Sequence, residues 1–182
     1  VIHSHPEYFP RIISSVALTD IESILYIREA LSTLPLDKLK PFGDPYFYVQ
    51  TVRSAISTLK REHRTPKDVQ ETTERLLHEF ESSPDSRHEK GAHKGKVKGA
   101  VQTQIDRLKK EQELGLVFEW YEKKLEEKRK FDFEDMISEV VRALSTDNGF
   151  LLMVQEKYLY ILADEHQDAN GAQNTLLELL AS

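Results

Sequence analysis

The run "YLYILA" at residues 158–163 limits what this 182-residue chain can fold into more than any other stretch. Its β-forming apolar residues are flanked by helical patterns on both sides, which suits a buried strand of a parallel sheet. No second run of that quality occurs in the sequence. A lone parallel strand leaves its backbone N–H and C=O groups unmet, so its neighbours must come from outside the chain or from a weak segment that periodicity does not reveal. The expected class is therefore mainly α, with one strand and one helix at the C-terminal end.

Composition agrees. Hydrophobic residues make up 39% and charged residues 31%, with only 7 Gly and 7 Pro, a balance that favours helices over an all-β fold. The chain has no cysteine, which rules out disulfides and thiolate zinc sites within it. No apolar run reaches the ~18 residues a membrane span needs, and no signal pattern opens the chain; a cytoplasmic setting is the default. A net charge of −6 argues against a surface that coats nucleic acid all over, while leaving local patches open. Val1 in place of Met, and a leucine-rich run that reaches Ser182, read as the ends of a piece of something longer.

Helix signals recur along the chain. "TDIE" at residues 19–22 is a capping box, followed by Ile21, Ile24, Leu25 and Leu31 on one helical face. "LKPFGDPYF" at residues 39–47 reads as a rigid turn packed by its aromatics. Val49, Val52, Ile56 and Leu59 resume helical spacing. "TPKD" at residues 65–68 supplies an N-cap, a proline at the first helical position and an acid in the first turn, ahead of a face made by Val69, Thr73, Leu76, Leu77 and Phe80. A long helix is expected over residues 101–130, with Glu119–Lys123 and Glu126–Lys130 as i,i+4 pairs. In "DFEDMISEVVRAL" Asp132 can cap a stripe of Phe133, Met136, Ile137, Val140, Val141 and Leu144. "TDNG" at residues 146–149 stops that helix, and a short one follows over residues 150–156.

Residues 82–100, "SSPDSRHEKGAHKGKVKGA", hold too little apolar surface to offset an ordering cost of about 1–2 kcal/mol per residue. Two readings of the lysines stand side by side: a solvated linker, or a patch that neutralises phosphates. His3, His5 and Glu7 have a spacing more often accidental than metal-binding, and Trp120 and Tyr121 fit a core stripe better than a base-stacking surface.

The chemistry concentrates at "ADEHQDANGAQ". On a strand, Asp164 and Glu165 would point to opposite faces; with the strand ending at Ala163, a turn can bring both round. A carboxylate there can hold Mg²⁺ through waters, and its neighbour can take a proton from an attacking water. "NGAQ" reads as a capping box for a last helix with Leu176, Leu177 and Leu180 facing inward.

"ILADEHQDANGAQNTLLELLA" resembles motif II, the Walker B element, of superfamily 1 DNA helicases of the UvrD, Rep and PcrA type, and "FDFEDMI" resembles a helix those proteins carry shortly upstream. The resemblance implies an ATP-driven motor on single-stranded and duplex DNA, with ATP and Mg²⁺ as cofactors. Asp164 would hold the Mg²⁺ and Glu165 would orient and deprotonate the attacking water. Gln167 and Asp168 would link the nucleotide site to neighbouring motifs, Gln173 matches the later glutamine, and His166 has no assigned role. Lys94, Lys96 and Lys98 would face duplex DNA. The chain contains no G-x-x-x-x-G-K-[ST] phosphate loop, so this piece alone is expected not to turn over ATP; the rest of the helicase would complete the site. The implied organisation is a helical subdomain of the 1B type over residues 1–156, inserted in a RecA-like α/β motor domain of which residues 157–182 are a part. The alternatives are a non-catalytic helical DNA-binding or interaction module, and the helicase part of a recombination helicase-nuclease.

Overall fold

The computed structural model describes residues 1–83, 98–158 and 160–181. Lys94 and Lys96 lie outside these, as do Arg87 and Lys90. Among the described residues the fold is mainly helical: α1 (Pro10–Ile13), α2 (Asp20–Thr33), α3 (Val49–Arg61), α4 (Pro66–Ser82), α5 (Gly99–Lys128), α6 (Phe133–Thr146), α7 (Asn148–Lys157) and α8 (Gly171–Ala181), with a two-residue parallel pairing of β1 (Val16–Ala17) and β2 (Lys130–Phe131).

Two compact units are present, the first comprising Val1–Ser23, Ser54–Arg64 and Lys124–Ser182, the second Ile24–Arg53 and Thr65–Lys123. In the first, α6, α7 and α8 pack on one another. The core joins Val140, Ala143 and Leu144 of α6 to Phe150 and Val154 of α7, with Ile2, Phe9 and Ile12 from the N-terminal segment. Tyr8 stacks on Phe150 at 3.9 Å between ring centres, and Leu176, Leu179 and Leu180 of α8 close the cluster. In the second unit, the Glu113 carboxylate collects the backbone N–H groups of Asp37, Lys38 and Leu39 at 2.8–2.9 Å. Lys38 reaches Asp106 at 2.8 Å; the ammonium holds the Asp106 carboxyl below its ordinary range. Glu119 is likewise held low, first by Lys123 at 2.6 Å and then by Gln70 at 2.9 Å.

All four capping expectations hold. Thr19 exchanges bonds with Glu22, Thr65 with Asp68, Asp132 with Asp135 and Asn170 with Gln173. Asp147, expected only to end a helix, also caps the next one through the Phe150 N–H.

Several expectations are corrected. Residues 160–163 form no strand, and Tyr160 and Leu162 are 92% and 97% exposed. The physical reason is the one the sequence posed: among the described residues only the short β1–β2 pairing exists, and it offers this segment no ladder. On α2 the buried positions are Ser23, Ile27, Ala30 and Leu31, while Ile21 and Leu25 face solvent. Phe133 is also exposed, as are Phe42 and Phe47 of the proline-rich turn; there Tyr46 lies beneath Arg28, whose guanidinium is 4.3 Å from the ring centre. α5 ends at Lys128 because Arg129 takes a left-handed conformation (φ 50°). Lys130 therefore pairs not with Glu126 but with Glu22, at 2.8 Å.

Candidate functional site

The acid cluster forms a compact turn. Asp164 and Glu165 make its corner, and residues His166–Asp168 follow as one turn of 3-10 helix. Glu165 is left-handed (φ 48°, ψ 40°), a conformation that costs a residue with a Cβ about 1–2 kcal/mol. The bonds that hold it are local: the Asp164 carboxylate accepts from the Glu165 N–H at 3.0 Å, the Glu165 carbonyl accepts from the Asp168 N–H at 2.9 Å, and the Gln167 amide donates to the Glu165 carboxylate.

This corner breaks the alternation of an extended chain. As a result Asp164, Glu165 and Asp168 all line one open groove of about 380 Å³, completed by Ala163, His166, Ala169, Gln173, Leu176 and Leu177. The groove is acidic on the turn side and apolar on the α8 side. Its carboxylates are exposed, so their charge needs no buried counter-ion. Oxygen donors of this kind suit a hard cation such as Mg²⁺ bound largely through water. Gln167 belongs to the turn without lining the groove. Lys98, the one described member of the lysine set, sits just ahead of α5, its carbonyl accepting from the Gln102 N–H at 2.9 Å.

A second cluster, absent from the sequence expectations, lies at the end of α3. The Lys60 ammonium is buried between Asp132 (2.6 Å) and Asp135 (2.7 Å) at the N-terminus of α6. Arg11 reaches Glu139 at 3.0 Å and Asp135 at 3.9 Å, and Arg142 holds the other Glu139 oxygen at 2.6 Å. Ser57 donates to Glu134 at 2.5 Å, and the Glu62 carboxylate accepts the Gly171 N–H of α8 at 3.2 Å. Between these elements lies a cavity of about 230 Å³ lined by Lys60, Arg61, Phe133, Glu134, Ile137, Asn170, Ala172 and Gln173. A signal for Lys60 was present: it falls four residues after Ile56, on the same buried stripe as Val49 and Val52, where a lysine demands a partner. Glu62 left no comparable mark, because its partner is 109 residues away.

The sequence as a whole matches a known family. The UvrD/REP helicase N-terminal domain family model covers residues 18–182, and the chain belongs to that family. Among curated relatives, ATP-dependent DNA helicase PcrA of Staphylococcus epidermidis is 28% identical over 164 residues, 90% of this chain and 17% of the relative. PcrA of Staphylococcus aureus is 37% identical over 71 residues, 39% of this chain and 10% of the relative. A probable DNA helicase II homologue of Mycoplasma pneumoniae is 40% identical over 62 residues, 34% of this chain and 9% of the relative. The chain thus spans less than a fifth of the length of these relatives.

Proposed function

We propose that this chain is part of an ATP-dependent DNA helicase or translocase and supplies the acidic half of its ATP-hydrolysis site. The observation that carries this reading is the turn at residues 164–168, which gathers Asp164, Glu165 and Asp168 on one groove in a member of the UvrD/REP family. In this reading residues 157–182 belong to a RecA-like core and residues 1–156 are a 1B-like helical subdomain. The phosphate-binding loop comes from elsewhere in the motor, so the piece alone does not hydrolyse ATP.

Asp164 would hold Mg²⁺ through water, and the bound ion would neutralise charge on the triphosphate. Glu165, one residue on, orients a water and takes its proton. Gln167 secures the Glu165 carboxylate in place, and Asp168 closes the turn through its own backbone. The exposed left-handed corner at Glu165 keeps that carboxylate in solvent reach of an attacking water rather than folded into a core.

Lys94, Lys96 and Lys98 would neutralise phosphates of duplex DNA without reading bases, and the working compartment would be the cytoplasm. The decisive experiment uses the full-length protein. Glu165→Gln lowers DNA-stimulated ATP turnover by about 100-fold or more while nucleotide binding stays near wild type; retained turnover sinks the role of Glu165. Neutralising the three lysines together lowers the slope of log affinity against log salt by roughly 2–3 for duplex, and an unchanged slope removes them from the interface.

A further inference from the structure

The end of α3 is tied to α6 through Lys60 and to α8, the helix that follows the acid turn, through Glu62, and the second tie is out of proportion to ordinary helix capping. α8 already has a complete capping box: Asn170 Oδ1 accepts from the Gln173 N–H and Gln173 Oε1 from the Asn170 N–H, both at 3.0 Å. The box leaves the Gly171 N–H unmet, and Glu62, from a distant part of the chain, supplies the acceptor at 3.2 Å. Its negative charge also lies against the positive end of the helix dipole.

The approach is close enough that a side chain at position 171 would force a shift. A Cβ at Gly171 would stand 2.9 Å from Glu62 Oε2, 3.0 Å from the Glu62 carbonyl oxygen and 3.1 Å from its carbonyl carbon. Two of these are backbone atoms and cannot swing aside. The backbone of Glu62 is fixed in turn: the Glu62 N–H bonds the Thr58 carbonyl at 3.0 Å, the His63 N–H the Lys60 carbonyl at 2.9 Å and the Arg64 N–H the Leu59 carbonyl at 2.8 Å, with His63 left-handed at φ 53°. Lys60, two residues earlier, is locked between Asp132 and Asp135 of α6. α6 therefore holds α3, and α3 holds the first residue of α8, three positions beyond Asp168. Gln173, on the same first turn, lines both the cavity beside α3 and the acid groove.

We propose that Glu62 is a positioning residue for the acid turn, setting where α8 begins and through it where Asp164, Glu165 and Asp168 stand. This rests on the catalytic reading of that turn. Glu62 touches no reacting group; its effect passes through Gly171 and the wall formed by Gln173.

The test uses the full-length protein, with Glu165→Gln as reference. Glu62→Ala is expected to lower kcat for DNA-stimulated ATP hydrolysis by roughly tenfold through misplacement, with KM for ATP changed less than about twofold. Glu62→Gln keeps an acceptor oxygen and restores most of the rate. Amide hydrogen exchange over residues 169–173 should quicken in Glu62→Ala and stay near wild type in Glu62→Gln. Glu62→Asp, too short to reach Gly171 without movement, should behave as Glu62→Ala does and stands in for it should that variant not fold. If Glu165→Gln is inactive while Glu62→Ala and Glu62→Asp keep the wild-type rate and exchange, the positioning role is overturned and the catalytic reading survives. If Glu165→Gln itself turns over ATP normally, the catalytic reading fails and takes the positioning role with it, whatever exchange reports about the contact.

Discussion

The N-termini of α6 and α8 are built alike and used differently. Each opens on a reciprocal capping box, Asp132 with Asp135 in one and Asn170 with Gln173 in the other, and each is touched by the end of α3. At α6 the acids are buried and fully engaged: Asp135 and Glu139 side chains are 4% and 5% exposed and face Lys60, Arg11 and Arg142. At the turn before α8 the acids are exposed, and the bonds of Asp164 and Glu165 among the described residues are local to their own turn. A carboxylate taken from water must be neutralised by a fixed partner and then serves the fold. One left in water keeps its charge and its lone pairs for an incoming ligand.

That contrast is broken or sharpened by substitution. The largest stability effect is expected for Lys60→Met, which removes the ammonium shared by buried Asp135 and part-buried Asp132, leaving Asp135 with Arg11 at 3.9 Å, and should lower unfolding free energy by about 3–5 kcal/mol; a denaturant titration that shows under 1 kcal/mol would mean that the pair is wetter than its geometry implies. Next comes Asn170→Ala, which removes a cap but buries no charge and should cost about 1 kcal/mol. Asp168→Asn, on the exposed turn, should fall within about 0.5 kcal/mol of wild type while still altering ATP turnover in the full-length protein. A stability loss there as large as at Lys60 would erase the distinction between the two helix starts.

A smaller effect concerns a third acid, Glu22 in the first turn of α2. Lys130 above all, then the Thr19 backbone N–H and hydroxyl, draw the Glu22 carboxyl down from 4.5 to about 2. Its folded pKa is depressed, so the stabilisation is complete above the ordinary glutamate value and is lost as pH falls towards about 2. Glu22→Gln should therefore flatten the acid limb of a stability profile between those values and leave the neutral region parallel to wild type, a comparison read from thermal melts at stepped pH.

Much of the helical framework was legible because caps are local. Thr19 with Glu22, Thr65 with Asp68, Asp132 with Asp135 and Asn170 with Gln173 are each decided within four residues, and the stripe of Val140 and Leu144 follows from a 3.6-residue period. Periodicity failed wherever the question was what covers a face. Ile21, Leu25 and Phe133 lie on apolar stripes yet stand in solvent, and residues 160–163 have strand composition without strand neighbours among the described residues. The acid turn was found from its residue pattern, but its left-handed corner was not, since nothing in a glutamate announces φ > 0. The links from Lys60 to Asp135 and from Glu62 to Gly171 join residues 75 and 109 positions apart, and no local rule connects them.

The exposed Tyr160 and Leu162 bear on how such a chain reaches its working form. The caps are satisfied within a few residues of sequence, whereas an exposed β-prone apolar stretch with no strand beside it among the described residues is a place where a sheet edge can add. One such edge is the same stretch of a neighbouring molecule. In the proposed helicase reading, any strand that docks on residues 160–163 in the full-length protein would have to compete with that association.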